Sequence, residues 1–204
     1  MAYDLEEQEQ LVAIKDWWQR YRTLLISVFS LILLAFLFWQ GWHYYRERQA
    51  MQAMQIFSTL NEMTIKPLAD SANILMRDYR NTPYAGRAAV LLANAYYKVA
   101  DHVAAYRVLN WASEHATEEA VLAIAKLQLA RLLIEDKRPT EALKILISTH
   151  DKGFDGLFLD AKGDALVALH RMNEAKIAYQ SALLRLGDAQ AYHALTQQKL
   201  DALG

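Results

Sequence analysis

The chain of 204 residues contains no cysteine, which excludes a disulfide scaffold, thiolate catalysis and any cysteine-ligated metal. It has only 7 glycines and 3 prolines, too few to punctuate an all-β protein with many tight turns. It also lacks an excess of either charge. Lys plus Arg total 22 and Asp plus Glu total 23, for a net charge of −1. Nucleic-acid binding through bulk charge would need a basic excess or patch, so no nucleic-acid partner is expected. No Gly-rich phosphate loop, Gly-x-Ser-x-Gly elbow or His-x-x-x-His pair occurs. The six histidines are scattered, and Gly153-Phe154-Asp155-Gly156 has neither a preceding strand nor a following base, so it reads as a linker. The chain therefore reads as a non-enzyme, with no catalytic, cofactor or metal residues expected.

One long absence is local. No Asp, Glu, Lys or Arg occurs over residues 23–45, and the centre of that stretch reads LLISVFSLILLAFLFW. About 20 apolar residues in a helix cross the hydrocarbon core, and a helix satisfies its own backbone polar groups there. Trp17, Trp18 and Tyr21 precede the run and Trp39, Trp42, Tyr44 and Tyr45 end it, as rings that favour the headgroup level do. The bulky end is a poor site for signal cleavage, so the run reads as an uncleaved transmembrane helix. Lys15, Arg20 and Arg22 before it, against Arg46 and Arg48 after it, favour residues 1–22 in the cytoplasm. Within that segment Leu11, Ile14, Trp18 and Tyr21 share a helical face, which suits either a membrane surface or partner, or a plain run-in to the span.

From residue 46 onward the chain reads as all-α. Thr82-Pro83, Thr117-Glu118-Glu119 and Pro139 mark helix starts, with Thr82 expected as an N-cap. Small residues pair at a spacing of 12 three times: Ala93 with Ala105, Ala130 with Ala142, and Gly163 with Ala175. Leu109, Leu146 and Tyr179 follow four residues after the second of each pair, and Tyr96, Leu133 and Leu166 follow three after the first. This resembles the tetratricopeptide repeat, a helical hairpin of about 34 residues that stacks into a solenoid. The expected organisation is a helical linker with a degenerate half-repeat over 46–85, three repeats over 86–189, and a polar capping helix over 190–204.

In such repeats the first helix of each unit lines a concave surface. That frame selects Arg87, Val90, Asn94 and Tyr97, then Ile124, Leu127, Arg131 and Ile134, then Leu157, Asp160, Asp164 and Val167. Arg87, Asn94, Tyr97, Arg131, Asp160 and Asp164 are the expected partner-binding residues. Asp160 and Asp164, four apart, read as two acids on a solvated face.

EEQEQLVAIKDWW, a span ending in Gly41-Trp42, the segment DAKGDALVALHRMNEAKIAYQSAL and the tail QQKLDAL together resemble the ancillary SecYEG translocon subunit family, with Lys162 where that family usually has Arg. The resemblance implies a single-pass inner-membrane protein of Gram-negative bacteria with a periplasmic repeat domain. It implies the SecYEG translocon and the chaperone PpiD as partners, exported proteins as clients, and restraint of the stress regulator RcsB through the cytoplasmic segment. The alternative is a membrane-anchored scaffold for envelope or cell-division assembly.

Overall fold

The computed structural model describes residues 3–187 and 190–204. The repeat boundary expected at Ala189 and the side chain of Leu11 fall outside what is described. The described residues are helical, with no strand. They form two compact units, Met1–Arg48 and Gln49–Gly204.

The first unit is the greater part of helix α1 (Tyr3–Ser58). Its apolar stretch buries nothing. Phe29, Leu31 and Phe38 are 69%, 70% and 75% exposed, which water would penalise and hydrocarbon would not. Length, composition and exposure together fit a membrane-spanning helix rather than the core helix of a soluble fold.

The second unit is a run of helical hairpins. Residues 49–58 of α1 and a 3₁₀ turn (Leu60–Glu62) precede α2 (Ile65–Asp78). Three hairpins follow: α3 (Pro83–Lys98) with α4 (His102–His115), α5 (Glu119–Glu135) with α6 (Pro139–Leu146), and α7 (Asp155–Ala168) with α8 (Met172–Leu183). Helix α9 (Gln190–Asp201) packs on α8. Within the stack α3 neighbours α5 and α5 neighbours α7, so the first helices of successive hairpins lie side by side.

The small-residue pairs explain the hairpins. Ala93, Ala105, Ala130, Ala142 and Ala175 are 0–1% exposed, and Gly163 is buried. A side chain no larger than methyl lets two helix backbones approach, and a large neighbour then fills the adjoining space. Leu109, Leu146 and Tyr179 are the buried large residues. The third hairpin differs in scale: a Cβ at Gly163 would lie 2.5 Å from Cδ1 and 2.7 Å from Cζ of Tyr179. Gly163 therefore answers the Tyr179 ring, not Ala175 as the spacing of 12 suggests.

A second signature repeats in the backbone. Ala100, Lys137 and His170 have φ of 59°, 62° and 59°, and each stands seven residues after the first small residue of its unit. Their N–H groups donate to the carbonyls of Tyr97, Ile134 and Val167, and the next N–H donates to Tyr96, Leu133 and Leu166. That double bond is the Schellman closure, which satisfies the last carbonyls of a helix and turns the chain back. The left-handed conformation costs a residue with a side chain about 1–2 kcal/mol, and none of the three is glycine.

One local feature departs from the sequence reading, and one helix is short. Thr82 stands at the N-cap of α3, but its Oγ1 donates to the carbonyl of Tyr79 (2.7 Å) and makes no cap bond, so Pro83 alone sets the start. Helix α6 has only 8 residues. Beyond it Ser148 Oγ donates to Ile145 O, and the His150 ring stacks on Phe158 at 3.6 Å between centroids, with its Nε2 3.1 Å from Asp155. Such side-chain bonds offer the backbone an alternative to another helical turn. His150 is thus an anchor of this connection rather than an incidental polar ring.

Two substitutions test this account in opposite directions. Gly163→Ala gains helix propensity but must displace the Tyr179 ring, and it should destabilise the repeat unit by about 1–3 kcal/mol. Lys137→Gly relieves the left-handed strain on an exposed residue and should stabilise it by about 0.5–1 kcal/mol after glycine's own entropy cost. Thermal melts of the detergent-solubilised chain read both; a stabilised Gly163→Ala chain would refute the packing argument.

Candidate partner-binding groove

Positions 87, 90, 94 and 97 recur on one face of α3, and 124, 131 and 134 on one face of α5. Because α3 and α5 are neighbours, these faces enclose two adjoining hollows. One, of about 400 Å³, is mostly apolar, lined by Phe57, Val90, Leu91, Val121 and Ile124 with Arg87 at its rim. The other, of about 350 Å³, sets the polar groups of Asn94, Tyr97, Gln128, Arg131 and Glu135 over Ala93, Leu109 and Leu132. Asn94 borders both, so they form one groove.

Some of its polar groups are already engaged. The Arg87 guanidinium donates through Nε and Nη2 to both carboxylate oxygens of Glu118 (2.7 and 2.6 Å), tying α3 to the start of α5. The Tyr97 hydroxyl donates to Glu135 (2.8 Å), which raises the phenol's pKa and keeps it a donor. The Tyr97 ring stacks on His102, 5.6 Å between centroids, and His102 Nδ1 sits 2.6 Å from Asp136. Tyr97 is therefore rigidly held while 46% exposed, a geometry suited to an interface anchor. Asn94 and Arg131 are exposed and make no polar contact among the described residues.

Of the six expected binding residues, the groove gathers Arg87, Asn94, Tyr97 and Arg131. Asp160 and Asp164 are elsewhere and are not on a solvated face. Asp160 is 4% exposed: its Oδ1 accepts from Thr196 Oγ1 (2.9 Å) and its Oδ2 from Lys199 Nζ (2.8 Å). Lys199 also donates to Asp164 Oδ2 (2.8 Å), and the Tyr179 hydroxyl to Asp164 Oδ1 (2.8 Å). The reason is α9, which brings Thr196 and Lys199 onto the face of α7 that the frame leaves open. Lys199 is spent on this latch instead of adding to the solvent-facing polarity of a cap. Leu127, at the position in α5 that corresponds to Asp160, is likewise buried.

Gln128 is the residue that the frame missed. It stands one position beyond Leu127, and its Oε1 is buried without a hydrogen-bond partner. The visible signal was an amide inside the apolar run LAIAKLQLARLL.

Comparison with known proteins agrees with the hairpins and with the whole-chain pattern. The tetratricopeptide repeat-like domain matches residues 15–204. A protein of Neisseria gonorrhoeae named ancillary SecYEG translocon subunit is 26% identical over 211 residues, covering all of both chains. Proteins of the same name from Haemophilus influenzae and Aggregatibacter actinomycetemcomitans are 27% and 26% identical, each over 89% of this chain and 91% of their own.

The latch generates a test with a defined sign. Lys199→Met leaves two carboxylates without their cation and should cost about 3 kcal/mol, the low end for a buried pair because Lys199 and Asp164 keep about a quarter of their exposure. Burial raises the Asp164 pKa above 3.8 despite the opposing bonds from Lys199 and Tyr179. A raised folded-state pKa means that the folded chain holds the proton more tightly. The contribution of Asp164 is therefore fully present below about pH 3.8 and is lost as pH rises through the raised value. Hydrogen-exchange protection of α9, corrected for intrinsic rates, should fall over that window in the native chain and stay flat in Asp164→Asn. An Asp164→Asn chain with the native pH profile would contradict this assignment.

Proposed function

The chain belongs to the tetratricopeptide repeat-like family, and from that premise we propose that it is a non-enzymatic, membrane-anchored scaffold that docks protein partners beside the SecYEG translocon. The groove between α3 and α5 carries this reading, because it gathers a rigid exposed tyrosine, an unpaired arginine and an aliphatic floor from two successive first helices. Tyr and Arg are the side chains that most often dominate interface energies. Relatives of the same length that bear the name of a translocon subunit support the location of that work.

In finer detail, the α1 span anchors the chain in the inner membrane with residues 1–22 in the cytoplasm and the repeats in the periplasm. The groove receives PpiD or exported clients, and the cytoplasmic segment restrains RcsB. The bias of Lys15, Arg20 and Arg22 over Arg46 and Arg48 supports the orientation.

Two measurements check the proposal. Protease added to spheroplasts should digest the repeat domain while leaving cytoplasmic proteins whole; a domain protected until the inner membrane is breached reverses the topology. Tyr97→Ala with Arg131→Ala should weaken capture of SecY and PpiD from solubilised membranes by roughly 2 kcal/mol, about thirtyfold, with helicity unchanged. The control pair, Arg107→Ala with Lys144→Ala on the second helices α4 and α6, should capture both normally. Equal loss in the two variants, or none in the first, moves the docking surface away from the groove.

A further inference from the structure

Helical period puts Leu92 and Tyr96 on the side of α3 opposite Val90, Asn94 and Tyr97. On that side α2 and α4, which both pack on α3, bound a cleft of about 540 Å³. Leu92 and Val108 form its buried floor, and Met76, Tyr96 and Trp111 stand half-buried along its walls. Trp111 is held in place. Its ring stacks on His115, 5.1 Å between centroids, and His115 Nδ1 donates to the Trp111 carbonyl (2.9 Å). A fixed aromatic beside an adaptable methionine is a combination that partner surfaces favour.

The cleft also carries one charge of each sign. Arg107 and Glu114 both border it from α4, seven residues apart, so they share a face and are separated by a rise of about 10 Å. Arg107 is exposed and has no partner among the described residues. Glu114 is exposed and accepts only a neutral amide N–H, from Asn110 (3.1 Å). The walls are helices whose backbone bonds are closed, so an extended segment would find no backbone partners there. A helix arrives with its own bonds made, and its side chains at i, i+3, i+4 and i+7 repeat the spacing along α4.

We propose that this cleft docks an amphipathic helix of a partner protein, one that carries an aliphatic pair flanked, seven positions apart, by one acid and one base. The acid meets Arg107, the base meets Glu114, and the aliphatic pair covers Met76 and Trp111. This surface lies across α3 from the groove, goes beyond translocon docking and stands independently of it.

Fluorescence anisotropy with the full-length chain in nanodiscs tests the proposal. The probe is a labelled helix of alanine and glutamine, stapled on its far face, with one glutamate, leucines three and four positions later, and a lysine seven positions later. It should bind, and replacing both leucines with alanine should weaken it about tenfold or more, because their apolar surface stays in water. Replacing its glutamate with glutamine should weaken it about threefold, the size of a solvent-exposed ion pair. That penalty should vanish in Arg107→Gln, and in Arg107→Glu a peptide with lysine at both charged positions should bind better than the original. In Glu114→Lys the peptide with glutamate at both should bind better. Tyr97→Ala with Arg131→Ala should leave the affinity unchanged. No binding overturns the proposal, as does equal binding of the glutamate and glutamine peptides to the native chain, or tighter binding of a proline-broken version. Loss of binding in the Tyr97 and Arg131 variant also overturns it, by moving the probe into the groove. None of these results alters how that variant captures SecY, so the two readings fail separately.

Discussion

Everything in the repeat unit depends on how closely two helices can cross inside a hairpin. The crossing needs a residue that adds almost nothing to the backbone, and a large side chain sixteen residues later to fill the space beside it. Ala93 with Leu109, Ala130 with Leu146 and Gly163 with Tyr179 meet that need with different volumes. Where the large partner grows from leucine to tyrosine, the small one shrinks from alanine to glycine. Packing at near-crystalline density leaves no slack for the exchange to occur on one side only. The closed turn follows from the same requirement. A chain that must reverse seven residues after the crossing takes a left-handed residue there, and the Schellman bonds stabilise it enough that Ala100, Lys137 and His170 all adopt that conformation.

The end of the stack shows the same frame with its chemistry inverted. Thr196 stands 33 residues after Gly163, and Lys199 stands 33 after Leu166. Helix α9 is therefore a fourth first helix in register, with a hydroxyl at the small-residue position and an ammonium where Leu133 and Leu166 place hydrocarbon. Across from them Asp160 replaces the leucine found at 127. An apolar seam between first helices has become a seam of charges and hydrogen bonds. Water can compete for such a seam, whereas it cannot reward the opening of an apolar one; Leu200 and Leu203 still pack α9 against the cluster around Tyr179.

How much of this was legible in the sequence varies with what each feature depends on. The span was legible because 23 residues without a formal charge need no tertiary context to interpret. The hairpins were legible because Ala, Gly, Leu and Tyr recur at fixed offsets. Four groove residues followed from the frame, since a face of α3 and α5 is set by helical period alone. Asp160 and Asp164 did not follow, because their environment is decided by Lys199, more than 30 residues away, and a helical wheel cannot see a helix that docks from elsewhere. Gln128 escaped for a related reason: whether an amide is satisfied depends on neighbours in three dimensions. The left-handed residues were also hidden, as alanine and lysine give no propensity signal for that conformation and a lone histidine gives only a weak one.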